Sequence, residues 1–186
     1  RLPFVPIFVI PYFSWFFFVP FWSICLYYWD RDAYDRTTTG LMIGMTVFLI
    51  VSTVWPNGQD LRVNGLRDTG LFTRMILGIW GTDSPTNVFP SMHVFNSLTI
   101  WIGTMHTKSR GLKKKNVRFG ITIWAALICL STVLIKQHSI LDGIGAAILA
   151  LVLYLVIYKK NLYLKFRMFR SQKDRELEEM QKAAQR

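Results

Sequence analysis

Cysteine is scarce: Cys25 and Cys129 are the two in 186 residues, each inside an apolar segment. A disulfide framework therefore has no support, and both read as packing residues. Acidic residues are also few, 11 Asp and Glu against 22 Lys and Arg, for a formal charge of +11. Such an excess can signal nucleic acid. Here the basic residues flank apolar segments, where they read as membrane-orienting and headgroup-facing, and no nucleic-acid partner is expected. No initiator methionine stands at Arg1, and no cleavable signal pattern is visible, because Pro3, Pro6 and Pro11 break the apolar opening. The expectation is that an upstream helix is missing. The long apolar runs are almost bare of charge, which counts against a lipid or carrier-lipid transporter, whose intramembrane charges should fall within several spans.

What is present is apolar: 52% hydrophobic residues and 15% aromatic ones, too much for an ordinary soluble domain of this length. The expected fold is an all-α polytopic transmembrane bundle, with one membrane-embedded catalytic domain over residues 1–158 and a basic cytoplasmic tail over 159–186. Five spans are expected. Residues 1–11, rich in proline and aromatics, read as an interfacial segment. Residues 12–29 and 38–55 are uncharged runs near the roughly 20 residues a spanning helix needs. Residues 30–36 should end the first, and Gly40 and Gly44 in the second have the small-xxx-small spacing that lets a neighbouring helix come close. Residues 57–90 form a polar, turn-rich loop with an amphipathic stretch at 71–79, and a loop of this length is more often functional than idle. The next span, about 91–107, is the weakest, since its strictly apolar part, 93–105, is short. The last two cover 117–135 and 141–158.

Residues 107–118 carry Lys108, Arg110, Lys113, Lys114, Lys115 and Arg118 with no acidic residue. After Tyr158 come Lys159, Lys160, Lys165, Arg167 and Arg170, interleaved with aromatic and aliphatic residues, as expected of a helix lying on anionic inner-leaflet lipids. The positive-inside rule puts both segments in the cytoplasm. Arg62, His93 and His138 then share the outer face of a cell membrane, whereas His106 falls at the inner end of its helix and has no assigned role.

Among these outer residues, His138 and Asp142 stand four apart between two apolar runs. If Asp142 lies on the first turn of the following helix, it faces the ring and can accept its hydrogen bond, fixing the tautomer and stabilising the imidazolium. The plainer reading is a capping histidine with a solvated aspartate. His93 ends the run Phe89-Pro90-Ser91-Met92-His93, in which Ser91 can N-cap a helix whose free N–H groups form an anion site. Its plainer reading is an ordinary capped helix with a water-facing histidine.

Taken together, Arg62, Pro90–His93 and Ser131–Asp142 resemble, in order, the three motifs of the type 2 phosphatidic acid phosphatase superfamily: Lys-x6-Arg-Pro, Pro-Ser-Gly-His and Ser-Arg-x5-His-x3-Asp. The resemblance covers about residues 57–142 and implies a core of six spans, the first lying before Arg1. Four positions depart from the pattern: Val63 stands for proline, Trp55 for the motif lysine, Met92 for glycine and Thr132 for arginine. The chain looks like a divergent branch, similar to bacterial members and to the sphingomyelin and inositol phosphorylceramide synthase side. Lys136 is a candidate for the lost arginine charge, against a plain lysine snorkelling to the interface; Arg67 and Arg74 are further candidates.

The chemistry is then phosphoryl transfer, in which positioning and neutralisation of the equatorial oxygens dominate. Arg62, Ser91, Ser131 and Lys136 are the expected phosphate-binding residues. His138, oriented by Asp142, would attack phosphorus and become phosphohistidine; His93 would protonate the leaving oxygen and later take a proton from water. Neither metal nor cofactor is expected. The competing reading is a metal site from His93, His138 and Asp142 or Asp83. Water is the expected acceptor for a lipid phosphate or pyrophosphate, phosphatidate-like or polyprenyl, with a lipid phosphotransferase as the alternative. Headgroup, tail and oligomeric state are not readable.

Overall fold

The computed structural model describes residues 2–68 and 70–159. The expected lipid-bound and solvated tail beyond Lys159 lies outside the described residues. Among those described, six α-helices form a bundle: α1 Val9–Trp29, α2 Arg31–Val54, α3 Leu71–Thr82, α4 Met92–Met105, α5 Lys115–Leu134 and α6 Ile140–Tyr154. No named strand occurs among them, only an isolated bridge between Gly58 and Thr86. The chain is a polytopic helical membrane protein.

Four stretches are long and apolar enough to cross a bilayer: Pro6–Trp29, Arg31–Val54, Lys115–Leu134 and Ile140–Lys159. The proline-rich opening is not a separate interfacial segment. A 3-10 turn, Pro6–Phe8, runs directly into α1, and Pro11 sits in the first turn, where its missing N–H has no intrahelical carbonyl to bond. Residues 30–36 do not form a connector either. Asp30 alone separates the first two helices, and its carboxylate accepts from Ala33 N at 3.1 Å, N-capping α2.

The expected span over 91–107 is the 14-residue α4. At about 1.5 Å per residue it is roughly 20 Å long, short of a hydrocarbon core of about 30 Å. Its position explains the length. α4 packs against α1, α2, α5 and α6, so its ends meet protein, where irregular backbone finds partners that lipid cannot supply. It buries Val94, Phe95, Ile100 and Thr104 together with polar Asn96 and Ser97.

In lipid the attraction between helices comes from close packing rather than water exclusion, so small residues matter at contacts. Gly44 receives the Phe95 ring of α4; a Cβ there would lie 2.0 Å from that ring. Gly40, one turn earlier, faces Thr99, and Gly103 of α4 faces Thr37 of α2. Phe18, Trp22 and Leu26 of α1 meet Ile121, Ala125 and Ile128 of α5 across Ile100. α3 lies over the N-terminal end of α1, with Ile76 and Ile79 against Val9 and Tyr12. Phe16, Phe17, Leu49, Phe119, Ile148 and Leu151 remain exposed on the four long helices. So much exposed apolar surface suits a lipid solvent, not an aqueous one.

Candidate active site

The site forms where α4 and α6 begin. α5 ends at Leu134, and Lys136 then takes φ 61°, a left-handed conformation that turns the chain sharply. The carbonyl of Thr132 accepts from both Gln137 N and His138 N at 3.0 Å, which fixes the turn against the end of α5. Ser139 N-caps α6 in a capping box: its hydroxyl accepts from Asp142 N at 3.2 Å while Asp142 Oδ2 accepts from Ser139 N at 2.7 Å. His138 therefore stands just before the cap. The Asp142 carboxylate faces it, with Oδ2 3.7 Å from Nδ1, and both side chains are largely buried.

That separation differs from the expected hydrogen bond. At 3.7 Å the pair is too far apart for a hydrogen bond, and His138 Nδ1 has no hydrogen-bond partner. The oxygen nearest the ring also accepts the Ser139 N–H. Asp142 is thus at once helix cap and neighbour of the imidazole.

Ser91 N-caps α4, accepting from Val94 N at 3.5 Å, and is fully buried. Its own N–H donates to the Asp142 carbonyl at 3.1 Å, tying the start of α4 to the start of α6. Phe89, before the cis Phe89–Pro90 bond, lies on Gly145 of α6, where a Cβ would come within 2.3 Å of the ring. These contacts bring His93 to His138, with ring centroids 5.9 Å apart. His93 is stacked on Tyr12 and tilted against Trp15, both at 4.5 Å, and its Nε2 is buried without a partner.

Both histidines open on a cavity of about 140 Å³. Gln137 and Met92 share its inner wall, Phe48 and Val88 add apolar surface, and exposed Asp83, Ser84, Thr86 and Asn87 form the rim. Arg62 reaches the same region from the long loop. Its Nη1 donates to Trp80 O at 2.8 Å, and its Nη2 to Asp83 O and, at 3.3 Å, to Gln137 Oε1. Three segments far apart in sequence therefore meet at one end of the bundle.

The other expected phosphate ligands stand differently. The Ser131 hydroxyl donates into its own helix, to Ile128 O at 2.6 Å. Lys136 Nζ donates to the Leu2 carbonyl at 2.7 Å, and Arg74 pairs with Asp68 at 2.8 Å. Neither cation lines the cavity, nor does exposed Arg67. His106 lies at the far end of α4 between Tyr154 and Tyr158. Among the described residues no three His, Cys, Asp or Glu side chains gather closely enough to hold a metal ion.

Some neighbours of the histidines had no signal in the sequence. Tyr12 and Trp15 stand at the start of the aromatic run expected to form the first span, and only the packing of α1 on α4 reveals them as the walls around His93. Gln59 donates to the carbonyls of Lys136 and Gln137 at 3.0 and 3.1 Å, and Asn57 accepts from Phe89 N at 2.9 Å. Both amides pin the segments that carry the histidines. Asn and Gln in a turn-rich loop carry no such message by themselves.

A profile of the PAP2 superfamily matches residues 64–165, more than half of the chain. The chain belongs to the PAP2 superfamily. The match contains Ser91, His93, Ser131, His138 and Asp142 and begins just after Arg62. No curated protein and no solved structure matches the chain significantly. Superfamily members are phosphatases and phosphotransferases, so membership supports phosphoryl-transfer activity for this membrane bundle.

Proposed function

We propose that this PAP2 superfamily member is an integral membrane lipid phosphatase that hydrolyses a lipid phosphate or pyrophosphate on the extracytoplasmic face of the cell membrane. The observation that carries the reading is the pairing of His93 and His138 across one small cavity, with Asp142 3.7 Å behind His138. Since Nδ1 of His138 faces the carboxylate, Nε2 is the attacking atom. It bonds to phosphorus as the bond to the leaving lipid oxygen breaks. His93 supplies the proton that oxygen needs, then takes one from the water that displaces the phosphoryl group from His138. Charge developing on the equatorial oxygens meets the start of α4 and the Arg62 region.

The basic 107–118 segment supports the orientation, because α4 separates it from the histidines and the positive-inside rule assigns it to the cytoplasm. A second reading, a lipid phosphotransferase, draws on the apolar wall of Phe48, Val88 and Met92, a surface a second lipid could use. Both reactions share the phosphohistidine half. The test is to incubate purified protein with labelled lipid phosphates and pyrophosphates, with and without diacylglycerol or ceramide, and follow the label. Hydrolysis predicts most of it in free phosphate. Label accumulating in a new lipid replaces the phosphatase with the transferase, and release that survives His138→Ala removes both.

A further inference from the structure

Resting on the phosphoryl-transfer reading above, we infer that Gln137 is a substrate-binding residue whose side-chain N–H donates to a non-bridging phosphoryl oxygen, in a site where motif cations have been replaced. Gln137 immediately precedes His138, is 3% exposed and lines the same cavity as both histidines. All but one of its polar groups are engaged. Its N–H donates to Thr132 O, its carbonyl accepts from Gln59 Nε2, and its Oε1 accepts from Arg62 Nη2. The exception is Nε2, which is buried and has no partner.

The orientation of this amide follows from chemistry. A guanidinium can only donate, so the atom of Gln137 facing Arg62 must be the oxygen, and the NH2 group must face the other way. Buried donors without acceptors are rare in native proteins, and one beside a nucleophile asks for an acceptor brought by a ligand. A phosphoryl oxygen is such an acceptor. Arg62, already committed to two carbonyls and to Gln137, polarises the amide from behind and reaches the phosphate through it. The sequence departures agree: Trp55 and Thr132 stand at the motif cation positions, Thr132 Oγ1 donates to Cys129 O, and Lys136 is held by Leu2 O.

The experiment is vanadate binding, measured by titration calorimetry on the full chain in detergent, for the parent, Gln137→Met, Arg62→Met and the double variant. Vanadate mimics the transferring phosphoryl group and needs no turnover. Loss of one hydrogen bond to a charged acceptor predicts vanadate affinity about ten- to a hundredfold weaker in Gln137→Met, with a smaller but measurable further loss when Gln137→Met is added to Arg62→Met, where the amide no longer has the arginine that orients and polarises it. If Gln137→Met has no effect once Arg62 is gone, the glutamine only anchors the arginine and the inference falls. Gln137→Glu keeps size and the acceptor for Arg62 but removes the donor, which guards against a methionine variant that does not fold. It too must lose affinity, and parent-like binding by the glutamate form overturns the proposal. A parent that binds no vanadate and forms no phosphoenzyme sinks the phosphatase reading itself, whereas equal affinity in parent and Gln137→Met sinks only the role of Gln137.

Discussion

The two ends of α4 differ in how the carboxylates of one and the histidines and amide of the other are partnered. At the end near Asp30, carboxylates are saturated: Asp30 accepts from Ala33 N, Lys108 N and the Thr107 hydroxyl, and Asp32 pairs with Arg36 at 3.1 Å. At the end near His138, donors and acceptors are left over: His138 Nδ1, His93 Nε2, Gln137 Nε2 and Arg62 Nε are all buried without partners. The same chain builds both, so the difference is not one of residue supply. Satisfied polar groups fasten helices together, whereas a cluster of unsatisfied ones around a cavity is arranged for a molecule that completes it. One end is a joint and the other the candidate site.

Substitutions should therefore hit activity at one end and stability at the other. The largest effect expected is at His138. His138→Ala should abolish turnover while leaving the melting temperature in detergent nearly unchanged. Asp142→Asn should be milder, with kcat lower by roughly 10² to 10⁴ through lost orientation and charge. It should also melt somewhat earlier, because weakening the α6 capping box costs about 1 kcal/mol. Equal loss in the two variants would show that His138 is not separable from its carboxylate. Next, His93→Gln should lower kcat by roughly 10² to 10⁴, and a substrate with a more acidic leaving alcohol should recover part of that loss. If it recovers none, His93 does not protonate the leaving group.

At the packing level, Gly44→Ala places a methyl group into the Phe95 ring and should destabilise the bundle by about 1–3 kcal/mol, read as thermal unfolding, with kcat of the folded fraction little changed. The smallest effect concerns Asp30. Burial alone would raise its pKa, but the N–H groups of Lys108 and Ala33, the Thr107 hydroxyl and the Lys108 charge together hold it below the usual carboxylate value. A depressed folded-state pKa means stability present above the unfolded value of about 4 and lost as pH falls through the folded one. Asp30→Asn should thus melt earlier at neutral pH, by an amount near the roughly 1 kcal/mol of an N-cap, and the gap should close below pH about 4. A gap that persists in acid would contradict the charge-based account of this joint.

Much of this division is legible in the sequence, and the rest is hidden for physical reasons. Long apolar runs mark α1, α2, α5 and α6 because lipid-facing helices need them, and the amphipathic stretch from Leu71 marks α3. The spacing of His138 and Asp142 is local, so one helical turn suffices to pair them. α4 was harder to read because a helix enclosed by four others needs neither full length nor uniform apolarity, and Asn96 and Ser97 blur its pattern. The lysine at 136 read as a replacement cation because charge is visible in a sequence while direction is not; a left-handed backbone and the Leu2 carbonyl decide where its ammonium goes. Gln137 was silent for the converse reason, since an amide becomes informative only once its partners are known.

Topology gives an independent check on which end faces out. Cysteine placed at Gln59 should react with an impermeant thiol reagent in intact cells, and cysteine at Ser109 only after lysis. The reverse pattern would put the chemistry in the cytoplasm.

The central claim, that phosphorus passes through His138, is tested most directly by rapid quench of purified protein with labelled substrate, followed by probing the stability of the labelled protein. The account predicts an acid-labile, base-stable phosphoenzyme whose label maps to His138 and is absent from His138→Ala. A base-labile phosphoserine, or a labelled protein that persists in His138→Ala, would contradict it.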